Sequence, residues 1–225
     1  MDNLLKVTVN SIQEIDEDKR IMIGELTIVG RFTPYRDLPI LKSMCNTIVD
    51  GQRTGGNLYF VDLSKCELYD GNWNYDDWGL IDCISLRRII FPKTARFNNT
   101  YGKLFSGCIS LESIEIEWDS NNRAFDIEGV LFVRNTGGIK RLLKFPANKG
   151  NEYTIPSDTN VIADYAFEDS HLSRLFMPAI PIPCTEKAFE GVNVAAMTLV
   201  VPKGCHDSYY THSVYGKFRI EELDD

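Results

Sequence analysis

Few residues of this chain have the types and spacings that catalysis needs. The histidines are His171, His206 and His212, and the last two flank a short Asp-Ser-Tyr-Tyr stretch. Their offset of six residues places them on different faces of a helix, unlike the His-x-x-x-His pair of zinc enzymes. We interpret this stretch as a polar capping helix and predict that the chain is not an enzyme. Catalysis by residues assembled from distant loops is the least favoured hypothesis.

Motifs that hold cofactors or metals are not found either. The segment 51–56 is rich in glycine but lacks the Lys-Ser/Thr pair that binds phosphate and magnesium. The cysteines form no Cys-x-x-Cys pair, so a zinc site has no local support. We predict no cofactor and no metal, and interpret the cysteines as small buried hydrophobic residues. They are Cys45, Cys66, Cys83, Cys108, Cys184 and Cys205.

One short acidic and aromatic stretch has the character of a binding site. It combines Trp73, Tyr75 and Trp78 with Asp76 and Asp77. Aromatic rings beside carboxylates can stack on sugars or anchor a protein partner, so these five residues are the predicted partner-binding site. A calcium loop is excluded, because glycine falls at its second position and isoleucine at its twelfth. In the alternative interpretation, the tryptophans cover a junction between structural units.

The charge of the chain limits the kinds of partner. Its formal net charge is −8 at pH 7, which disfavours nucleic acid and bare anionic membrane. No apolar run approaches the ~18–20 residues of a membrane-spanning helix. The first twenty residues also lack the basic and apolar regions of a signal peptide, so we expect either an intracellular protein or a mature or engineered form whose signal has been removed.

A repeat organises most of the sequence. The segment 83–89 recurs at 108–114, 25 residues later, with five of seven positions identical. A related pair of copies places Ala-Phe at 166–167 and again at 188–189, 22 residues apart. Apolar positions recurring every ~20–29 residues are typical of leucine-rich repeats. A single coil cannot bury its own apolar edge, so stacked coils should share a core and a parallel strand ladder.

The repeat also predicts where individual side chains point. Leu175 and Met177 should face inward from a short strand, which Pro178 ends. The ring of each Ala-Phe pair should fill the space between successive coils. Cys83 and Cys108 occupy equivalent positions and should stack as buried thiols, although their proximity would also permit a disulfide.

Two features depart from the simple repeat. Gly137-Gly138 lies between apolar runs and predicts a β-hairpin turn. Leu38, Leu41 and Met44 predict a short helix after Pro39. At the C-terminal end the sequence predicts a helix near 207–211 and a last short strand at 218–220.

These patterns define the predicted fold class and domain organisation. We expect a leucine-rich-repeat solenoid of α/β or mainly β type, with a short parallel strand ladder, an irregular or helical convex side and atypical capping units at both ends. The chain 1–225 forms a single elongated domain in this prediction. Its parts are an N-terminal cap with degenerate coils (1–79), the repeats (80–202) with a hairpin insertion near 129–146, and a C-terminal cap (203–225).

The repeats are specific enough to resemble a known family. The segments 104–111, 155–167 and 201–205, with the insertion at 129–146, resemble the BspA-like leucine-rich repeats of exported proteins from Bacteroides-type bacteria. The resemblance covers roughly 80–221 and, less specifically, 20–70. It departs from the family pattern at Leu80-Ile81, where an aromatic pair is replaced, and at 191–197. It implies an extracellular or cell-surface location, no intrinsic catalysis, and adhesion to a protein or glycan partner such as host matrix. The first hypothesis is therefore a non-catalytic binding module that recognises its partner through a repeat surface. The rival hypothesis is a structural spacer with no ligand of its own.

Overall fold

The computed structural model describes residues 4–68, 79–97, 102–119 and 123–223. Short strands and single helical turns dominate these residues, as expected for a chain whose apolar positions come in brief runs. The strands are β1 (Leu5–Val9), β2 (Ile23–Ile28), β3 (Arg31–Phe32), β4 (Ile48–Val49), β5 (Gln52–Arg53), β6 (Phe60–Asp62), β7 (Glu67–Leu68), β8 (Arg88–Phe91), β9 (Ser113–Ile116), β10 (Ala124–Ile127), β11 (Val130–Arg134), β12 (Lys140–Lys144), β13 (Glu152–Thr154), β14 (Val161–Ile162), β15 (Arg174–Phe176), β16 (Thr198–Val201) and β17 (Arg219–Glu222). The α-helices are α1 (Pro34–Met44) and α2 (His206–Tyr210). Short segments of 3-10 helix lie at Ile12–Glu14, Glu17–Met22, Gly102–Phe105, Glu186–Phe189, Val194–Ala196 and Tyr215–Lys217.

The first parallel ladder has the strand order β1-β2-β6-β8-β9. Its register aligns Leu26, Val61, Ile89 and Ile114 in one inward row, and all four side chains are fully buried. Ile89 and Ile114 are the equivalent positions of the 25-residue repeat, so the predicted stacking of these two copies is confirmed. Alternation along each strand then turns the neighbouring positions outward.

A second parallel ladder has the order β13-β15-β16-β17. Leu175 pairs with Tyr153 on one side and with Leu199 on the other, and Leu199 pairs in turn with Ile220. Leu175 and Met177 are buried, so the predicted inward orientation of this strand is confirmed. Parallel ladders are therefore the main architecture of the described residues.

A mixed sheet lies between the two ladders along the chain, in the order β10-β11-β12-β14. The hairpin predicted at Gly137-Gly138 is confirmed, because β11 and β12 pair in antiparallel fashion across it. The prediction omitted β10, which adds a third antiparallel strand beside β11. The other edge of β12 pairs in parallel with β14, so the hairpin stays joined to the ladder-forming coils.

Aromatic rings fill the space between coils, as the Ala-Phe pairs predicted. Phe167 stacks on Phe189 with ring centroids 5.1 Å apart and lies 5.6 Å from Phe145. Phe189 meets Phe218 edge-on at 4.9 Å. Buried apolar residues from Ile12 onward join these rings in one continuous hydrophobic core.

The prediction for the N-terminal helix was wrong at its start. The sequence indicated a helix after Pro39, whereas α1 begins at Pro34 and carries Pro39 in its interior. Pro34 suits the first helical position, because no helical partner exists there for an N–H group. Pro39 withholds a hydrogen bond from the carbonyl of Tyr35, but both residues are exposed, so water can reach that carbonyl. The buried face formed by Leu38, Leu41 and Met44 follows the prediction.

The C-terminal end contains the predicted helix and strand. α2 spans His206–Tyr210 and β17 closes the second ladder. The buried ring of Tyr209 packs against this end, and its hydroxyl donates to the backbone oxygen of Pro178 at 2.6 Å. The polar helix thus anchors to the last coil through one tyrosine.

Candidate partner-binding surface

The predicted partner-binding residues Trp73, Tyr75, Asp76, Asp77 and Trp78 lie outside the described residues. The stretch that contains them joins β7 to the coil that begins at Gly79. Its role as a partner-binding site therefore stays a prediction.

The two C-terminal histidines have structural contacts. His212 Nδ1 accepts hydrogen bonds from the backbone N–H groups of Val214 and Tyr215, at 3.2 and 3.4 Å. His206 stacks on Tyr210 and meets the carboxylate of its neighbour Asp207 at 3.2 Å. Both histidines therefore take part in local packing at this end of the chain. Among the described residues, no group of three His, Cys, Asp or Glu side chains is arranged to hold a metal ion.

The thiols form a buried row rather than a reactive site. Cys83 and Cys108 are close enough to interact electrostatically, which agrees with the predicted stacking, and the Cys108 thiol donates to the backbone oxygen of Leu80 at 2.7 Å. Cys45, which is also buried, lies close enough to Cys83 to interact with it and extends the row by one coil. Burial raises the pKa of the Cys108 thiol well above its ordinary value. All six cysteines are free thiols in this structure, and those of the row are too protected to act as nucleophiles.

The outward side of the first ladder has the most organised polar surface. We call its outward residues the ladder face; they lie in two rows that cross β1, β2, β6, β8 and β9. The first row runs Lys6, Glu25, Phe60, Arg88, Ser113, and the second runs Thr8, Thr27, Asp62, Ile90, Glu115. Each residue stands about 4.8 Å from its neighbour on the next strand, which is the spacing of hydrogen-bonded strands.

Arg88, on β8, is the residue of the ladder face that the surrounding side chains hold most firmly. Its guanidinium lies over the Phe60 ring, 5.3 Å from the centroid, and binds the Glu115 carboxylate through two hydrogen bonds of 2.7 Å. This bidentate pair holds the pKa of the Glu115 carboxyl below its usual value, and the Ser113 hydroxyl adds a further hydrogen bond at 2.8 Å. The Arg88 side chain is 50% exposed, so its guanidinium is held in place and still reaches solvent.

A second polar cluster lies at the β1 end of the same face. Glu25 accepts from the Tyr59 hydroxyl at 2.6 Å and pairs with Lys6 at 2.8 Å. The hydrogen bond from Lys6 holds the pKa of the Glu25 carboxyl below its usual value. An aromatic ring, a carboxylate and a cation thus recur at both ends of the ladder face.

A groove of about 630 Å³ adjoins the Glu115 end of the ladder face. Asp126 of β10 forms one wall, and its carboxylate accepts from the backbone N–H groups of Ile116 at 2.8 Å and Gly129 at 3.0 Å. Glu117 and Glu128 also line the groove and form no ion pair with other described residues. The groove therefore presents a net negative charge beside the exposed Arg88.

The second ladder repeats the arrangement of an arginine over an aromatic ring. Arg174 lies 5.6 Å from the centroid of Phe176 and faces Glu152 at 3.7 Å and Glu221 at 3.9 Å. These ion pairs are longer than those of Arg88, and the Arg174 side chain is 41% exposed. The first ladder therefore offers the more rigid version of the same surface.

The sequence predicted binding through a repeat surface but did not identify these outward residues, because only the inward positions of each strand were assigned. Phe60 stood inside an apolar run, and Arg88 was one variable position of the repeat. The sequence does contain a signal for them, because an aromatic or charged residue directly precedes the inward position of two strands: Phe60 before Val61, and Arg88 before Ile89. The alternation of a strand places such a residue on the outer face.

Comparison with known proteins gives structural similarities alone. No protein-family model matches the chain, and no curated protein matches it. One similar solved structure is a leucine rich cell surface protein from Faecalibacterium prausnitzii A2-165, with 14% identity over 92% of this chain and 65% of that protein, at a TM-score of 0.38. Another is a leucine-rich repeat protein from Eubacterium ventriosum, with 19% identity over 88% of this chain and 59% of that protein, at a TM-score of 0.36. A third is the pneumococcal vaccine antigen PcpA, with 15% identity over 86% of this chain and 65% of that protein, at a TM-score of 0.37.

The chain therefore spans less than two thirds of the length of each of these three proteins. Two of them carry the leucine-rich description that the sequence resemblance named. At identities below 20%, what those proteins bind is not transferred to this chain. Among the described residues, no helix is long and apolar enough to cross a membrane.

Proposed function

We propose that the chain is a non-catalytic binding module of an exported or cell-surface protein, built as a leucine-rich-repeat solenoid. Its ladder face recognises a protein or glycan partner. The observation that carries this proposal is the fixed, half-exposed guanidinium of Arg88 above the Phe60 ring. Arginine and aromatic side chains are the residue types that most often dominate binding surfaces.

The rigidity of this surface supports the proposal. The backbone beneath Arg88 belongs to a five-stranded ladder, and the inward row of Leu26, Val61, Ile89 and Ile114 is fully buried. Because two hydrogen bonds and a ring already fix the guanidinium, little conformational entropy is lost when a partner contacts it. The adjoining groove adds carboxylates that can accept hydrogen bonds from sugar hydroxyls or from basic side chains.

The rival proposal, a structural spacer, is supported by a different observation. The charges of the ladder face are largely paired with one another, as in Lys6 with Glu25 and Arg88 with Glu115. Charges that neutralise one another across neighbouring strands are explained by a structural role alone, because they keep the coils in register without a ligand. A binding measurement separates the two proposals.

The test is a binding screen of the purified chain against arrays of extracellular-matrix proteins and glycans. Arg88→Ala and Phe60→Ala are compared with Arg31→Ala, which removes an exposed arginine of the Arg31–Glu67 pair away from the ladder face. We expect a hit of the unaltered chain to weaken by about tenfold or more in the first two variants and to stay unchanged in the third. Thermal unfolding of each variant checks that the fold is retained.

The predicted acidic and aromatic stretch is tested in the same screen. A Trp73→Ala/Trp78→Ala double variant that loses binding while the Arg88→Ala variant keeps it moves the site to that stretch. Equal binding by the Arg88→Ala, Phe60→Ala and Arg31→Ala variants contradicts the ladder-face proposal. A chain that binds no array member under any condition favours the spacer.

A further inference from the structure

A cleft of about 280 Å³ lies between one face of α1 and the β4–β5 hairpin, and it shares no residue with the ladder face. Ile48 and Val49 of β4 form one of its walls. Apolar residues that follow the spacing of one helix face form the other wall: Pro34, Tyr35, Leu38 and Pro39. The cleft therefore has the concave, apolar character of a small-molecule site.

Hydrogen bonds fix the hairpin side of the cleft. Thr47 lines the cleft and is buried, and its hydroxyl donates to the Ile81 carbonyl at 3.1 Å. The Thr47 carbonyl accepts from the backbone N–H of Thr54 at 3.0 Å, beside the antiparallel pairing of β4 with β5. The Arg53 guanidinium donates to the Asp82 carbonyl at 3.1 Å. Because the hairpin is tied to a neighbouring segment in this way, the cleft is formed before any ligand binds.

Three side chains of the cleft are exposed although they are largely apolar. Tyr35 is 66% exposed, Ile48 is 48% exposed and Val49 is 50% exposed. None of the three belongs to the continuous hydrophobic core. Exposed apolar side chains that are grouped around a concave surface mark a place where a further apolar group can be buried.

The cleft also contains one cation, Lys42, which lies four residues after Leu38 on the same helix face. Its side chain is half-buried. Its position in the last turn of α1 suits the helix dipole, but its three N–H donors have no acceptor among the described residues. By contrast, the buried lysines Lys140 and Lys144 are each paired with a carboxylate.

The described residues supply no anion for this cation. No carboxylate among them lines the cleft. Asp37, the acidic residue of α1, is fully buried and is bound by Arg36 and by the Thr33 N–H, so it does not neutralise Lys42. Apolar walls lower the local dielectric, so an anion in the cleft is attracted to the ammonium more strongly than it would be in open water.

We propose that this cleft binds a small carboxylic acid with an aromatic or branched aliphatic body. The carboxylate accepts hydrogen bonds from the Lys42 ammonium, and the body packs between Tyr35 and the side chains of β4. The volume lies just below the ~300–1,000 Å³ of pockets that hold drug-sized ligands, so the ligand is a small acid rather than a lipid or an oligosaccharide. This site is additional to the ladder face and does not depend on the function proposed for it.

Titration calorimetry of the full chain with matched probes tests the proposal. Hydrocinnamate has both the apolar body and the carboxylate, hydrocinnamamide has the same body without the charge, and acetate has the charge without the body. We expect hydrocinnamate to bind about tenfold more tightly than its amide, because a hydrogen bond between two charged groups is stronger than one to a neutral group. Acetate should not bind measurably, since it buries almost no apolar surface.

Matched variants show whether the acid binds in this cleft. Lys42→Met removes the charge and keeps an apolar side chain, so it should bind hydrocinnamate only as tightly as the amide. Retained binding of the amide shows that the cleft of this variant is still formed. Tyr35→Ala should weaken the binding of both probes by about fivefold or more, because it removes an aromatic wall. Lys65→Met is the control, since it removes the same charge from an exposed position outside the cleft and should keep the preference for the acid.

Several outcomes overturn the proposal. Equal affinity of the unaltered chain for hydrocinnamate and its amide does so, as does a preference for the acid that survives Lys42→Met. So does the absence of both a binding heat and a rise in the unfolding temperature with hydrocinnamate up to its solubility, because a ligand of the folded chain must stabilise it. A tripeptide that ends in phenylalanine carries the same apolar body and carboxylate on a chain end. Tighter binding of this peptide than of hydrocinnamate overturns the free acid and assigns the cleft to the C-terminus of a protein.

Discussion

At the scale of single residues, Lys144 places an ionisable ammonium group in the core, where burial disfavours its charged form. Its side chain is only 2% exposed, and its ammonium donates to the Tyr165 carbonyl at 3.1 Å and to Glu168 at 3.3 Å. Glu168 also accepts from the Ser106 hydroxyl at 2.6 Å, so this carboxylate joins three separate segments of the chain. Burial lowers the pKa of Lys144 from its ordinary 10.5.

Removing the Lys144 side chain should therefore destabilise the fold strongly. We expect Lys144→Ala to lower the free energy of unfolding by about 3 kcal/mol, because it leaves a cavity and a carboxylate without its cation. Lys144→Met should cost less, since it keeps the packing, and the double variant Lys144→Met/Glu168→Gln should recover part of that loss. Urea unfolding measures all three. A Lys144→Ala variant as stable as the unaltered chain contradicts this account.

A second buried charge, Asp37, makes stability depend on pH. Burial acts to raise its pKa, but hydrogen bonds from Arg36 at 2.8 Å, from the Thr33 N–H at 2.7 Å and from Gln13 at 2.8 Å outweigh burial. The pKa of Asp37 is therefore held below 3.8. A depressed folded-state pKa stabilises the fold above the unfolded value, and this contribution is lost as pH falls through the folded value.

The replacement Asp37→Asn should isolate that pH dependence. We expect the variant to be less stable than the unaltered chain by about 2 kcal/mol at pH 7, because charged hydrogen bonds become neutral ones. The difference should shrink as pH falls below 3.8, since asparagine does not titrate. Urea unfolding at a series of pH values gives both curves. A difference that stays constant down to pH 2 would falsify the assignment.

At the scale of structural elements, the corner of a coil imposes a backbone requirement that the repeat pattern hides. Gly107 has φ +70°, and a Cβ atom there would lie 2.2 Å from the Asp82 carboxylate of the preceding coil. Asp82 itself has φ +56° at its own corner. Successive corners thus touch at a point where a side chain has no room, so glycine is required at the second one.

A matched pair of substitutions separates the conformation from the contact. Gly138 of the hairpin turn has φ +78° with no atom within 4 Å of the added Cβ position. We expect Gly138→Ala to cost about 1 kcal/mol for the left-handed backbone alone. Gly107→Ala should cost about 3 kcal/mol, because the Asp82 side chain must also move. Thermal unfolding provides the comparison, and equal losses would show that the corners do not touch in solution.

The elements also show what the sequence could and could not predict. The 25-residue recurrence predicted the pairing of Ile89 with Ile114, because identical local patterns stack in register. The pairing of β10 with β11 was missed, because Phe125 and Asp126 alternate too briefly to indicate a strand. The burial of Lys144, which interrupts an apolar run, was not predicted. The charge can be buried only because Glu168 pairs with it, and that residue lies 24 positions further along the sequence.

At the scale of the whole molecule, the proposed binding surface follows from the stacking of coils. Stacked coils expose outward rows whose spacing is set by the backbone, so side chains from distant parts of the sequence form continuous surfaces. The ladder face is one such surface, because its two rows cross five strands from β1 to β9.

The proposed solenoid makes a direct prediction about the shape of the molecule. A compact protein of 225 residues has a radius of gyration of about 17 Å. Stacked coils extend the chain along one axis, so small-angle X-ray scattering of the full chain should give a clearly larger value and an asymmetric distance distribution. A monodisperse sample checked by light scattering excludes self-association as the cause. A monomer with a radius near 17 Å and a symmetric distribution would show that the coils fold back into a compact body, and the solenoid would be wrong.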